Sequence, residues 1–149
     1  MNKQFLIFIS CAAVLLVANP AFASQSGVIK TVQGQVRIER GDRNLVAKVG
    51  DPVQELDRVM SQSESSVGIS MNDETLLSLG PNSMLVIDRY AYDPVTRTGQ
   101  VATSILKGTL RYVTGLIGRA HPEAIKVTTQ NSTIGIRGTE FIVQVPVDN

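Results

Sequence analysis

The sequence predicts an all-β fold, and three observations support this prediction. From Gly27 onward, apolar residues recur at every second position in short runs, which is the pattern of strands that bury one face. Clusters of Gly, Pro, Asn and Asp separate these runs about every 8–12 residues. No long apolar stripe with helical spacing competes with the alternation. About a dozen short strands without helices fit a β-solenoid-like or rolled stack of strands, with an antiparallel β-sandwich as the alternative.

The alternation assigns the strands in chain order. The predicted strands cover 35–39, 45–49, 67–71, 77–79, 85–87, 101–106, 110–113, 125–129, 133–137 and 140–145. Gly41-Asp42 and Gly80-Pro81-Asn82 are typical turn sequences between them. Residues 90–100 have the composition of an exposed loop or a long hairpin tip, and residues 115–122 that of a connection. Lys107-Gly108 is expected to separate the two strands of a pair.

The last two predicted strands differ in the parity of their apolar positions. The isoleucines of 133–137 are at even positions, whereas the apolar residues Phe141, Val143 and Val145 are at odd ones. One extra residue must be accommodated if both sets face the same core. Gly138 is the expected place for this bulge or bend, because glycine accepts backbone conformations that β-branched neighbours disfavour.

The beginning of the chain has the composition of a bacterial signal peptide. A short positive start precedes residues 5–18, an apolar run of fourteen residues with a single polar member. This run is shorter than the roughly 20 residues of a transmembrane helix and fits a secretory core of about 7–15. A small-x-small sequence then places cleavage before Ser24, with an uncleaved N-terminal anchor as the alternative. We therefore expect a signal peptide over 1–23 and a periplasmic or secreted mature chain, 24–149, without a stable membrane anchor.

Composition and charge argue against several classes of function. Fourteen Lys and Arg stand against thirteen Asp and Glu, so the chain lacks the basic excess that attracts nucleic acid. Its only cysteine, Cys11, lies in the predicted signal peptide, and its only histidine is His121. These residue types supply neither a zinc site nor a converging acid, base and nucleophile. We expect no nucleic-acid partner, no cofactor, no metal site and no enzymatic activity.

Three stretches are more specific than an ordinary β-rich pattern. One runs from Val49-Gly50-Asp51-Pro52-Val53 to Pro81-Asn82-Ser83, and another is Leu106-Lys107-Gly108-Thr109-Leu110-Arg111. The most specific is Ile136-Arg137-Gly138-Thr139-Glu140-Phe141. Together they resemble the FecR-type periplasmic domain family over nearly the whole mature chain. The resemblance implies one β-rich, solenoid-like domain over 24–149 with a non-enzymatic role.

The resemblance also implies a role in envelope signalling. The best-known members of the family are single-span regulators that sense a loaded outer-membrane transporter through this domain and signal to a sigma factor through a cytoplasmic head. Here a predicted signal peptide stands in place of the head and the span. We expect a free-standing module of the periplasm or cell envelope, with the periplasmic part of a transmembrane signal-transduction system as an alternative.

Two kinds of partner fit such a module. The first is an envelope protein, bound through an open strand edge or through residues 90–100, because open edges accept added strands. The second is a glycan, in a carbohydrate-binding, cell-wall-binding or structural role. Only 5% of the residues are aromatic and none is Trp, which disfavours the stacking platforms that sugars use.

The candidate site is the most specific block, in a structural or a partner-facing role. Its residues are Gly135, Arg137, Gly138, Thr139, Glu140 and Phe141. Arg137 has five donors in a planar fork that suits carboxylates or backbone carbonyls. We expect Arg137 to hold adjacent turns together, and the alternative is that it faces a partner or an anionic ligand.

Overall fold

A computed structural model describes residues 24–147 of the chain. The predicted signal peptide lies outside the described residues, as do positions 148 and 149. Within the described part of the chain, no helix is both long enough and apolar enough to cross a membrane.

Twelve strands form one sheet, accompanied by a short helix and a 3₁₀ turn. The strands are β1 (Gln25–Gln33), β2 (Val36–Arg40), β3 (Arg43–Val46), β4 (Pro52–Gln54), β5 (Arg58–Ser61), β6 (Ser66–Met71), β7 (Leu76–Leu79), β8 (Met84–Asp93), β9 (Thr98–Val113), β10 (Ile125–Thr128), β11 (Thr133–Gly135) and β12 (Glu140–Val145). The helix α1 is Leu116–Ala120, and the 3₁₀ turn is Pro122–Ala124. The all-β prediction is confirmed, although α1 lies where the sequence predicts only a connection. Five residues are too few to show a helical period.

The sheet curls into a half-barrel whose two halves share β9. Half A contains, in order, β4, β1, β6, β7, the C-terminal part of β9 and β12. Half B contains β3, β2, β5, β8, the N-terminal part of β9, β10 and β11. Neighbouring strands are antiparallel except β9 and β10. The chain passes from one half to the other at short corners after β1, β3, β5 and β7.

Three buried serines, the corner serines, hold these corners together. Ser65 Oγ accepts a hydrogen bond from Gln35 N, and Ser83 Oγ accepts one from Thr109 N, both at 2.9 Å. Ser61 Oγ accepts a third from Ser83 N at 3.0 Å. All three serines are at most 4% exposed. A backbone N–H that has left the strand ladder needs another acceptor, and each of these buried hydroxyls supplies one from the neighbouring corner.

Strand β9 crosses the corner without interruption and therefore belongs to both halves. The sequence predicts two paired strands on either side of Lys107-Gly108, and this prediction is wrong. Buried side chains occupy odd positions before the corner, as at Ile105, and even positions after it, as at Leu110. Gly108 has a φ of +85°. This backbone conformation lets the inward-facing positions change from odd to even while the strand continues.

The side of the curled sheet opposite the corners is its mouth. Three segments cross the mouth, namely 55–57, 114–124 and 136–139. The last of these joins Gly135, at the level of Ala102 in β9, to Glu140, which pairs with Val113. Eleven residues of straight strand would separate these levels by about 36 Å, whereas five peptide units reach at most about 18 Å. The two ends of β9 therefore bend toward each other across the mouth.

A buried polar cluster joins the two halves at the mouth. The Asp73 carboxylate, in the turn after β6, is fully buried and accepts hydrogen bonds from Thr75 Oγ1 at 2.7 Å and Tyr90 Oη at 3.1 Å. Tyr90 belongs to β8 in half B, so the contact spans both halves. Asp73 O also accepts a hydrogen bond from Leu116 N at 2.7 Å, which holds α1 in the mouth with its own Ile117 fully buried.

The tyrosines of this region predict a loss of stability at alkaline pH. Burial, together with the nearby Asp73 carboxylate, raises the pKa of Tyr90 and of Tyr112 above the ordinary value. The unfolded chain releases these protons near pH ~10, whereas the folded chain retains them, so stability is intact below that pH and falls as the pH rises further. We expect tyrosinate absorbance from these two residues to appear together with the loss of the β-sheet circular dichroism signal. Ionisation of all the tyrosines with an unchanged dichroism spectrum would contradict the burial described.

Candidate functional site

The candidate block lies where the chain crosses the mouth for the last time. Gly135 ends β11, residues 136–139 cross from half B to half A, and Glu140 begins β12. The bend expected at Gly138 is present, with a φ of +140°. The segment 136–139 is called the link below. The candidate block therefore lies at one edge of the sheet, beside β10 and the C-terminal part of β9.

Most of the block is anchored to the end of β9. Phe141 stacks on the buried Tyr112, with ring centroids 4.9 Å apart and planes at 17°. Glu140 Oε1 accepts a hydrogen bond from Arg111 Nε at 2.6 Å. Thr114 holds the link, since its N donates to Thr139 O at 2.8 Å and its Oγ1 to Gly138 O at 3.0 Å. Sequence reasoning did not single out Thr114, because a threonine at a strand end has no distinctive pattern.

Arg137 is the exception within the block. Its side chain is exposed, and within residues 24–147 it makes no hydrogen bond or ion pair. The expectation that it holds adjacent turns together therefore has no contact to support it in the described chain. The arrangement favours the alternative, in which the guanidinium faces a partner or an anionic ligand.

The same end of the molecule presents an open sheet edge. β11 pairs only with β10, and β12 pairs only with β9, among the strands between residues 24 and 147. The outer backbone groups of both strands therefore have no strand partner in that part of the chain. We call β11, the link and β12 together the open edge. Ile142, on β12, is 65% exposed.

A groove of about 730 Å³ runs along the first part of the open edge. Its apolar lining includes Ile125, Ile134 and Ile136, which are buried or half-buried. The charged side chains Lys126, Arg137 and Glu123 also line it and are exposed. Sequence reasoning missed Lys126, because a lysine between two inward-facing residues of a strand looks like any solvent-facing position.

The family of the chain follows from a match to a family model. The model described as FecR protein matches residues 57–148, which include the open edge and the candidate block. The chain belongs to the FecR family. No curated protein and no solved structure matches it. The resemblance noted in the sequence is thus confirmed, and the FecR family is a regulatory and signalling family whose domain lies on the periplasmic side of envelope signalling proteins.

The matched part of the FecR domain begins at a buried ion pair. Asp57 is the first matched residue, and its fully buried carboxylate accepts two hydrogen bonds from Arg40, at 2.8 Å from Nε and 2.7 Å from Nη2. Strands β1 to β4 precede the match but belong to the same sheet. The single domain over 24–149 stays a prediction.

The other predicted partners find little support in the FecR domain as described. All four aromatic side chains between residues 24 and 147 are buried or half-buried, so that stretch exposes no full stacking platform for a glycan. Within the same residues, no group of three or more His, Cys, Asp and Glu side chains could hold a metal ion. His121 lies beside Glu123, with 3.3 Å between Nδ1 and Oε1, and both are exposed. A glycan as the alternative partner, and the absence of a nucleic-acid partner, stay predictions.

Proposed function

We propose that this FecR domain is a non-catalytic interaction and sensing module of envelope signal transduction, acting in the periplasm or cell envelope after cleavage before Ser24. The observation that carries the proposal is the open edge, formed by the most specific block of the sequence. In that block, Phe141 and Glu140 fix the backbone from one side while Arg137 and the outer edge of β12 are left for a partner. An edge held so firmly is a preorganised template for strand addition.

The partner that the proposal requires is another envelope protein. Strand addition gains affinity from main-chain hydrogen bonds and specificity from alternate side chains. The open edge offers both, because exposed side chains such as Ile142 alternate with inward-facing ones such as Val143. The regulatory and signalling character of the FecR family supports this role over a structural one.

A site-specific crosslinking experiment tests the proposal. Replacing Ile142 with a photo-reactive amino acid in the full-length chain should yield one dominant crosslinked envelope protein in the native host. Val95 provides the control, because it is 89% exposed at the tip of the β8–β9 hairpin, inside the 90–100 segment considered as the other binding surface.

The two positions give distinct results. Crosslinking from Ile142 and not from Val95 supports the open edge. Crosslinking from Val95 alone would move the interaction to the hairpin tip and overturn the site. Crosslinking from neither position, with both variants exported and folded, would contradict the protein-interaction role.

A further inference from the structure

We propose that the groove beside β11 binds an extended peptide segment with alternating apolar and acidic side chains. This inference rests on the proposed function and names the chemistry of its partner. The segment would add to the outer edge of β11, place its apolar side chains against Ile134 and Ile136, and direct its carboxylates to Lys126 and Arg137.

The charge of the groove argues for an acidic partner. Lys126 and Arg137 are exposed, and within residues 24–147 neither forms an ion pair. Glu123, the one acidic residue of the lining, pairs with neither cation in that part of the chain, so the lining has two positive side chains and one negative one. The groove thus presents two cationic side chains whose charge the described chain does not neutralise, whereas Arg40, Arg58 and Arg111 are each paired with a carboxylate.

The shape of the groove argues for an extended partner. Ile134 of β11 and Ile136 of the link follow one another along the open edge, with Ile125 on the neighbouring β10, so the apolar floor follows the direction of the open edge. A strand bound there presents alternate side chains to the floor and to solvent. The solvent-facing row of the bound segment then lies beside the two cations. Apolar residues on the floor side and acidic residues on the solvent side therefore alternate along the sequence of the partner. A guanidinium also donates two parallel hydrogen bonds to a carboxylate, which would favour Asp or Glu over a neutral side chain.

Binding of defined peptides to the purified full chain tests this inference. The probe is a seven-residue peptide of alternating valine and aspartate with blocked ends. Its controls are the same peptide with lysine in place of aspartate, and the aspartate peptide with a central proline, which removes a main-chain donor. The aspartate peptide should bind, its affinity should fall with added salt, and neither control should bind comparably.

Matched variants locate the site. Arg137→Gln and Lys126→Gln should each weaken binding of the aspartate peptide by about fivefold, the scale of an exposed charge pair. Arg43→Gln and Lys30→Gln are the controls, because both residues are exposed, lie on strands outside the groove, and make no ion pair within residues 24–147. These controls should bind like the unaltered chain, with circular dichroism confirming the fold of all four.

The outcomes separate this inference from the proposed function. Equal binding of the aspartate and lysine peptides, or equal binding by all four variants, would overturn the acidic-segment proposal. If crosslinking from Ile142 persists in that case, the interaction module stands and only its partner chemistry is wrong. If the aspartate peptide does not bind and sedimentation shows a dimer that Arg137→Gln or Lys126→Gln disrupts, the groove is a contact between copies of the chain, which also overturns the proposal.

Discussion

Arg40→Ala should lower the free energy of unfolding by about 3–5 kcal/mol, because it leaves a buried carboxylate without its partner. The Asp57 side chain is fully buried and that of Arg40 is 17% exposed. The Arg40 guanidinium donates two hydrogen bonds to the Asp57 carboxylate, in a bidentate geometry. The hydrogen bond with Asp57 also raises the pKa of Arg40 above its ordinary value. Arg40 Nη2 also donates to Pro52 O at 2.8 Å, and Asp57 Oδ2 accepts from Gln54 N at 2.8 Å. One ion pair thereby ties half B to β4 of half A.

The control for this variant is the neighbouring ion pair, formed by the residues that adjoin Arg40 and Asp57 in the chain. Arg58 of β5 and Glu39 of β2 form an ion pair at 3.2 Å with side chains 46% and 33% exposed. Water screens such a pair, so Arg58→Ala should cost less than about 1 kcal/mol. Urea denaturation followed by circular dichroism measures both variants. A cost for Arg40→Ala no larger than that for Arg58→Ala would show that the Asp57 carboxylate is not buried as described.

Gly108→Ala should lower the free energy of unfolding by about 2–4 kcal/mol through two effects at the corner of β9. A side chain at a φ of +85° is strained. A Cβ at this position would also lie 2.5 Å from Ser83 Cα and 2.6 Å from Ser83 Cβ, so the corner itself would have to move. Ser83 is fully buried and accepts the Thr109 N–H, which leaves it little room to yield.

Two other glycines separate the strain from the steric clash. Gly138 has a φ of +140° but nothing within 4 Å of an added Cβ, so Gly138→Ala should show the strain alone, about 1–3 kcal/mol. Gly135 also has open space and has no positive φ, so Gly135→Ala should leave stability nearly unchanged. Thermal and urea unfolding of the three variants should rank them in that order. An equal cost for Gly108→Ala and Gly138→Ala would show that Ser83 does not limit the corner.

The sequence predicts most of the strands because their signal is local. The alternation of Phe141, Val143 and Val145 locates β12, and the turn composition of 90–100 locates a hairpin. The continuity of β9 was missed because a glycine between two apolar runs is typical of a turn, and only the pairing with β8 up to Lys107 and with β12 from Gly108 shows that the strand goes on.

The candidate site was only partly predictable for a related reason. The block around Arg137 is recognisable as a sequence, so its position at the end of β11 and the start of β12 could be found. Its surroundings depend on contacts between residues far apart in the chain, such as Thr114 with Gly138, which no local pattern reveals. The structural role expected for Arg137 rests on the chemistry of its side chain. The exposure of that side chain favours the alternative, in which Arg137 faces a partner or an anionic ligand.

The corner serines make the sheet behave as a one-dimensional array. Outside its own corner, each serine bonds to the adjacent corner. If each corner with its strands is taken as one unit, neighbouring units are coupled directly and distant units only through those between them. Such an array opens most readily at its terminal units, where each unit has one neighbour and not two. The open edge is one of these ends. A strand added there converts a terminal unit into an internal one, and its stabilising effect decays with every corner it must cross.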